Sequence, residues 1–374
     1  MLINNDILEF PMPVTNSLMA ERIRRGHAVA ASKPQAVKLE SDQALSLTHS
    51  SDGRTLVSAG FDGVIHLWDM AEAKELAKLT GEMSAIRCVR FSPNGRTLAS
   101  VSDDGLIRLW EISTRTLKMT SPGLSEAMRK AARFVSLDAV AFAPDGRSLA
   151  VAGGAGINPD VPEAIYEVRV IDVQTGKSMW AHMGRGDRSL SLAYSPDGKI
   201  LACAGGSAVQ LWNARTGEPV RTVSPTRGGI FAVAFTLDAK SIIGGGSLGN
   251  HSAGQVTLWD VATGTIRQFF ASEAGIVQSV AVAPDGKTIA SGGDGPWRPF
   301  PNENRRVSSV SLRDSTTGKL LWAVDGELGT VRSLAFAPDG KTLSYCDDRV
   351  IGVIDVATGK TVRFLVRSNL KPLE

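Results

Sequence analysis

The sequence predicts an all-β protein made of seven four-stranded antiparallel sheets, and three observations support this prediction. First, a pair of apolar segments around a Pro-Asp-Gly-like turn recurs seven times along the 374 residues. Second, a third apolar segment ending in Trp-Asp or its equivalent follows each pair, and a fourth segment leaves each unit. Third, 38 glycines suit many tight turns and show no collagen-like period. Seven such sheets stacked radially bury the faces that one sheet alone leaves exposed, which is a seven-bladed β-propeller.

The first turn of each unit closes a hairpin, because Asp-Gly and Asn-Gly pairs tolerate the positive φ that such turns need. The seven turns read Ser51-Asp52-Gly53, Pro93-Asn94-Gly95, Pro144-Asp145-Gly146, Pro196-Asp197-Gly198, Leu237-Asp238-Ala239, Pro284-Asp285-Gly286 and Pro338-Asp339-Gly340. Each turn stands between two segments rich in Val, Ile, Leu and Phe. The sequence therefore predicts the first and second strands of every unit.

The third and fourth strands are marked by tryptophans and by a second turn. The third strands end at Trp68-Asp69, Trp110-Glu111, Ile171-Asp172, Trp212-Asn213, Trp259-Asp260, Arg313-Asp314 and Ile354-Asp355. A Thr-Gly turn follows in five units, at Gly176, Gly217, Gly264, Gly318 and Gly359. We expect the third-strand tryptophans in the core, and Trp180 and Trp322 packed on outer strands. Cys88, Cys203 and Cys346 lie within predicted strands, where a free cysteine behaves as a small apolar residue.

On these seven copies the chain resembles the WD-repeat β-propeller family, in its divergent bacterial-type members, over roughly residues 35 to 366. The resemblance implies one propeller over 35–374, with blades at about 41–80, 81–120, 121–183, 184–224, 225–271, 272–325 and 326–367. It implies little about function, because so widely used a fold serves many functions.

Members of the WD-repeat family often carry a polar network, in which a Gly-His pair bonds through a Ser or Thr to the third-strand Trp and to an Asp six residues before that Trp. This network is expected to be partial here. The Gly-His pair is missing from all seven units. The Asp is present as Asp62, Asp104 and Asp348, and the candidate serines are Ser58, Ser100 and Ser344.

Two segments match the fourth-strand pattern at the closing point of the ring, namely 35–40 and 361–366. Either one pairs on the seventh blade and the other lies outside it, or a fifth strand forms. Residues 1–34 precede the repeats and are expected to be a flexible tail. Ala28-Val29-Ala30 resembles a signal-cleavage site without its apolar segment, so a truncated secretory signal is an alternative to the cytoplasmic location that three separated cysteines favour.

The insertions fall on one face of the predicted disc. Equivalent third-strand positions are spaced by 42, 61, 41, 47, 54 and 41 residues. The excess is at 153–163, 244–254 and 292–306, which join second to third strands, and at 121–134, which joins units two and three. Both kinds of connection emerge on the same face of an up-and-down blade. Because binding residues concentrate on loops held by a rigid scaffold, this face is the predicted binding face.

The candidate partner-binding residues lie in these connections. The aromatic segment 292–306 supplies Trp297, Arg298, Phe300 and Arg305, and aromatic and Arg side chains are common anchors of interfaces. The others are Arg129, Lys130, Arg133, Arg185, Arg188, Asn158, Asp160 and His251. Alternatively, Trp297 and Phe300 plug the central channel or cover a neighbouring blade. Basic residues including Arg227 near units three to five and the acidic residues Asp325, Glu327 and Asp347 near unit seven predict a bipolar face.

Composition narrows the function classes. A net charge of +3 argues against nucleic-acid binding driven by bulk charge, and no apolar segment approaches a membrane-helix length. The five histidines form no set with a nucleophile or a metal, so we expect no catalytic residue, metal site or cofactor. The sequence favours a monomeric, non-catalytic platform for a protein or peptide. The alternatives are a sugar or small-ligand sensor using Trp297, and a metal-dependent hydrolase or lactonase.

Overall fold

The structure is a computed structural model that describes residues 43–81, 84–131, 135–155, 165–185, 191–225, 227–249, 253–272, 275–300, 303–348 and 350–365. Within these ranges it describes the backbone alone at 131, 185, 296–300, 303–306 and 326–328. The chain divides into two units, Met1–Gln35 and Ala36–Glu374, and every described residue belongs to the second.

The described residues form seven separate sheets, and each sheet takes four consecutive strands in antiparallel order. Blade one contains β1 (Ala44–His49), β2 (Thr55–Gly60), β3 (Ile65–Asp69) and β4 (Lys74–Leu79). Blade two contains β5 (Ile86–Phe91), β6 (Thr97–Ser102), β7 (Leu106–Glu111) and β8 (Thr116–Pro122). Blade three contains β9 (Ser136–Phe142), β10 (Ser148–Ala155), β11 (Ile165–Asp172) and β12 (Ser178–Arg185). A short helix, α1 (Glu126–Ala131), precedes blade three and is the only helix in the described ranges.

The remaining four blades follow the same plan. Blade four contains β13 (Ser191–Tyr194), β14 (Ile200–Gly205), β15 (Ala208–Asn213) and β16 (Pro219–Val223). Blade five contains β17 (Ile230–Phe235), β18 (Ser241–Ser247), β19 (Gly254–Asp260) and β20 (Ile266–Ala271). Blade six contains β21 (Val277–Val282), β22 (Thr288–Phe300), β23 (Glu303–Asp314) and β24 (Leu320–Leu328). Blade seven contains β25 (Ser333–Phe336), β26 (Thr342–Cys346), β27 (Ile351–Asp355) and β28 (Thr361–Leu365).

The seven sheets form a closed ring. The first strand of each blade contacts the first strand of the next, and β25 of blade seven contacts β1 of blade one. The core lies between neighbouring blades, as where Leu47 and Trp68 of blade one pack with Cys346 and Val353 of blade seven. Burying each sheet against two others removes the faces that a lone sheet would leave in water. The predicted all-β, seven-bladed propeller is therefore confirmed.

The predicted tryptophan and cysteine positions are also confirmed. Trp68, Trp110, Trp212 and Trp259 are buried, and the three cysteines are free and buried in strands. The half-buried outer-strand residues Trp180 and Trp322 donate their indole N–H to Ala214 O (3.0 Å) and Val356 O (2.8 Å). These bonds tie an outer strand to the following blade.

The first turn of each blade has the predicted left-handed residue. Its six glycines have φ between +69° and +73°, at Gly53, Gly95, Gly146, Gly198, Gly286 and Gly340. In blade five Ala239 takes the same conformation, with φ of +57°. A Cβ makes this conformation unfavourable, so Ala239 strains the blade-five turn.

The insertions at 292–306 and 244–254 were predicted to join second to third strands outside the sheets. This is wrong for the described part of 292–306 and for the two ends of 244–254, which belong to strands, while Leu248, Gly249 and Ala253 lie outside them. Strands β22 and β23 pair from Thr288↔Asp314 out to Phe300↔Glu303, with an irregular register between Asp294 and Trp297. In blade five, Gly246 still pairs with Gln255. In both blades the extra residues at the apex of the hairpin lengthen the two strands and keep their pairing.

The insertion 153–163 was predicted to join the second strand to the third, and the structure corrects this for Gly153 and Gly154. Both lie in β10 and are buried, and the structure describes nothing between residues 156 and 164. A Cβ at Gly153 would stand 2.1 Å from Ser136 O, and one at Gly154 would stand 2.3 Å from Ile165 O. These glycines permit close strand packing.

The polar network is partial, as predicted, but its members differ in one blade. Trp68 donates to Ser58 (2.8 Å) and Trp110 donates to Ser100 (2.9 Å). Ser344 was expected to act alike in blade seven, and this is wrong. It pairs with Val353, one position away from the site equivalent to Ser58, because Leu343 is the residue opposite Ile354.

The three aspartates of the expected network bond elsewhere. Asp62 lies 2.8 Å from Nε2 of His66, and Asp104 accepts from Arg108 at 2.7 Å. Asp348 accepts from Arg332 at 3.1 Å. Local hydrogen bonds and ion pairs therefore replace part of the family's network.

The ring closes at one interface, between blades seven and one, which we call the seam. Of the two segments that compete for blade seven, 361–365 forms its outer strand β28, and 35–40 lies outside the described residues. Across the seam, Leu47 N donates to Ser333 Oγ (3.1 Å), and His49 Nε2 lies 3.0 Å from Ser344 Oγ. Arg363 Nη1 donates to Met70 O at 2.7 Å. Side chains of two blades therefore hold the described ring shut.

Candidate interaction face and central channel

The two faces of the disc differ in elaboration. We call loop face the one that carries the connections from second to third strands and from each blade to the next, and turn face the other. On the turn face, the connection from first to second strand is five residues long in every blade, and that from third to fourth strand is four or five. The loop face carries α1 and the lengthened hairpin of β22 and β23. The predicted one-sided elaboration is thus present in the described residues.

Helix α1 is held firmly against blade three. Ser125 caps it, since Met128 N donates to Ser125 Oγ at 3.2 Å. Ser125 in turn donates from its N and Oγ to the buried Glu167 carboxylate, at 2.9 and 2.5 Å. Leu124 and Met128 are buried in the core between blades two and three. The exposed candidates Arg129 and Lys130 therefore sit on an anchored element, with Lys130 Nζ 2.6 Å from Glu126.

The other predicted binding residues are only partly described. Arg133, Arg188, Asn158, Asp160 and His251 lie outside the described residues. For Trp297, Arg298, Phe300 and Arg305 the backbone is in the hairpin, where Trp297 pairs with Arg306 and Arg298 pairs with Arg305, and Arg185 ends β12. Their role in binding stays a prediction, and so does the alternative that Trp297 and Phe300 plug the channel.

The bipolar charge pattern needs one correction. Asp347 was predicted to lie on the acidic side of the face, but its side chain is 1% exposed. It accepts from Ser308 Oγ (2.8 Å) and from Val350 N (2.9 Å), which makes it a structural carboxylate. Asp325 and Arg227 are exposed, as predicted.

The central channel opens on the loop face, and the residues that line it were missed by the sequence analysis. A cavity of about 270 Å³ lies among the seven first strands, and we call it the channel cavity. Each first strand starts at the loop face, so residues at or just before its start lie at the loop-face end of the channel cavity. The described lining residues of this kind are Leu45, Arg87, Asp138, Phe231, Gln278 and Arg332. The available signal was the variability of the position that these residues occupy, because the position two residues further on is Val or Leu in every repeat.

Two arginines at this mouth are held by carboxylates. Arg87 forms a two-point pair with Asp103, at 2.7 and 2.8 Å, and its guanidinium stands 5.6 Å from the ring centre of Phe61. Phe61 is 46% exposed. Arg332 Nε donates to Asp348 at 3.1 Å. The mouth therefore presents oriented cationic and aromatic groups toward the loop face.

No group of three or more His, Cys, Asp and Glu side chains in the described ranges is placed to hold a metal. Burial raises the pKa of the Cys346 thiol, which makes its thiolate scarce. None of the helices that the structure describes has the length and apolarity to cross a membrane.

Comparison with known proteins identifies the repeat. A family model described as "WD domain, G-beta repeat" matches residues 36–69, 73–111, 178–213, 264–295 and 318–355. A protein of Oryza sativa subsp. japonica, "U3 snoRNP-associated protein-like YAOH", is 41% identical over 61 residues. That alignment covers 16% of this chain and 12% of the rice protein. The gaps between matched ranges contain the insertions 121–134, 153–163 and 244–254, together with regular strands of blades three and five.

Proposed function

Since this chain belongs to the WD-repeat β-propeller proteins, we propose that it is a non-catalytic platform that holds a protein or peptide on its loop face. The one-sided elaboration of the disc carries this proposal. A scaffold without a partner has no need to lengthen one face while every turn of the other keeps five residues or fewer.

Three loop-face elements would form the contact surface. The hairpin of β22 and β23 brings Trp297, Arg298, Phe300 and Arg305, and α1 brings Arg129 and Lys130. Between them, the channel mouth offers Arg87 and Arg332. Arg87 and Arg332 are already oriented by Asp103 and Asp348, so they lose less conformational freedom on binding than free arginines would, which favours recognition of a folded or peptide partner.

The rice protein supports a role in an assembly without indicating a particular partner. Its name places that protein with a ribonucleoprotein, and the alignment covers only 61 residues. A match of that length supports the shared repeat and a role in an assembly. With a net charge of +3 in this chain, we propose protein contacts within such an assembly and not direct RNA binding. Three buried, free cysteines favour a reducing compartment, so we place this role in the cytoplasm.

A small-ligand sensor is the second candidate, and the channel cavity favours it. Its lining mixes serines, arginines, an amide and an aromatic ring, a composition that suits a polar ligand. The ligand would bind on the axis, away from the hairpin tip. The two candidates therefore predict different effects of shortening the hairpin.

Deleting residues 296–306 tests the platform. The deletion leaves Gly295 and Val307 as a two-residue turn beyond the Asp294↔Ser308 pair, and glycine at the first turn position suits a type II′ hairpin. We expect specific partners to be lost from affinity capture while the thermal midpoint changes little. Lys199→Glu on the turn face is the matched control and should keep every partner. Identical captured sets for wild type and deletion would contradict the platform at this site.

A further inference from the structure

One residue of the first strands departs from its six equivalents. The last but one residue of the first strand is small in six blades and is an arginine in blade two; the seven residues are Thr48, Arg90, Ala141, Ala193, Ala234, Ala281 and Ala335. An arginine side chain has six more heavy atoms than an alanine side chain and must find its own space. Arg90 finds it in the channel cavity, which it lines.

Arg90 reaches across to blade one. Its Nη1 donates to Val89 O (2.8 Å), Ser46 Oγ (3.1 Å) and Leu47 O (3.4 Å). These acceptors fix the guanidinium at one side of the cavity. All three are uncharged, so they orient the cation without neutralising it.

Arg90 differs in this respect from the two other arginines of the cavity. Arg87 is paired with Asp103, and Arg332 is paired with Asp348. Among the described residues, Arg90 has no carboxylate within ion-pair distance, although it is half-buried. A cation partly removed from water without a counter-charge is unfavourable, and a bound anion relieves that cost.

The cavity supplies further donors. The hydroxyls of Ser191, Ser279 and Ser333 each accept a backbone N–H from another blade, at 3.2, 3.0 and 3.1 Å. A hydroxyl that accepts one bond still has its proton to donate. The lining of the cavity contains three arginines and one aspartate, Asp138. A volume of about 270 Å³ has room for several waters, and so for a carboxylate or phosphate group.

We propose that the channel cavity is an anion site in which the Arg90 guanidinium binds a carboxylate or phosphate group that enters from the loop face. The group comes either from a free small anion or from an acidic or phosphorylated side chain of the partner. The site itself does not depend on the platform function, since a free anion would bind without any protein partner. Arginine suits this role because its planar fork matches both anions.

Inorganic phosphate is the probe for the test, titrated into the full chain by isothermal calorimetry at constant ionic strength. Arg90→Ala restores the residue of five other blades, so the fold should persist, which circular dichroism checks. We expect wild type to bind phosphate and Arg90→Ala to bind it at least tenfold more weakly. Arg90→Lys should retain part of the affinity, and Arg54→Ala on the turn face should match wild type. Absence of phosphate binding by wild type, or equal binding by Arg90→Ala, overturns the proposal.

Affinity capture with Arg90→Ala separates the two sources. Loss of partners together with phosphate binding assigns the anion to the partner, and loss of phosphate binding alone assigns it to a free ligand. The 296–306 deletion leaves Arg90 in place. It should therefore bind phosphate as wild type does, even if the platform proposal fails.

Discussion

Lowering the pH from about 7.5 to about 4.5 is expected to weaken the seam between blades seven and one, through His49. The six equivalent first-strand residues are aromatic or apolar: Phe91, Phe142, Tyr194, Phe235, Val282 and Phe336. At the seam His49 lies 3.0 Å from Ser344, and its buried Nδ1 has no partner among the described residues. Asp52, Asp339 and Arg363 line a cavity of about 230 Å³ beside it.

The magnitude follows from the shift in pKa. Burial lowers the pKa of His49 from 6.5 to about 4, and the nearby Asp339 carboxylate opposes that shift. As pH falls below about 6.5 the unfolded chain binds a proton that the folded chain refuses until about pH 4. The free energy of unfolding is therefore undiminished above this window and falls within it. Each pKa unit is worth about 1.4 kcal/mol, so the loss approaches about 3 kcal/mol.

The assay is urea unfolding followed by tryptophan fluorescence at several pH values between these limits. Carboxylates throughout the protein also respond to acid, so a matched variant is needed. His49→Phe with Ser344→Ala gives the seam the apolar pairing of the other six interfaces. We expect the variant to lose less stability than wild type, by about 3 kcal/mol at the acid end. A difference between the two proteins that does not change with pH would refute the reasoning.

Three further predictions concern the turn face and α1. Ala239→Gly should raise the free energy of unfolding, measured in urea, by roughly 0.5–1 kcal/mol. Alanine in the left-handed conformation costs about 1–2 kcal/mol, and the greater freedom of glycine in the unfolded chain offsets part of the gain. A destabilised protein would contradict this. Ser125→Ala removes the cap of α1 and the hydroxyl that donates to the buried Glu167. We expect the free energy of unfolding to fall by about 1–2 kcal/mol and amide exchange in the helix to become faster. Unchanged exchange would show that the cap is dispensable. Arg129→Glu with Lys130→Glu should slow partner association at low salt and much less at high salt, measured by surface plasmon resonance, and a salt-independent effect would count against electrostatic steering.

The seven sheets could be predicted because the same turn and strand pattern recurs in every repeat. A turn such as Pro338-Asp339-Gly340 needs positive φ wherever it occurs, and seven copies in register leave little choice of fold. Core tryptophans such as Trp68 followed from their place at the end of a third strand. Local sequence was sufficient for both.

The errors arose where local sequence conflicts with pairing. Prolines 296 and 299 interrupt the alternation that marks a strand, so the segment was interpreted as a loop, although its backbone pairs as far as Phe300. Ser344 was misassigned because its role depends on a one-residue register. Arg90 was missed because its significance appears only when seven first strands are brought around one axis.

The contiguous make-up of the blades also constrains how the ring assembles. Each described sheet consists of four consecutive strands, so all its pairing partners are present once its own segment of 33 to 52 residues has been synthesised. The seam is different, because Leu47 and Ser333 are 286 residues apart. Contacts between such distant residues carry a large loop-closure entropy and form slowly. A growing chain therefore completes its blades in order and makes the contact between the first and the seventh last.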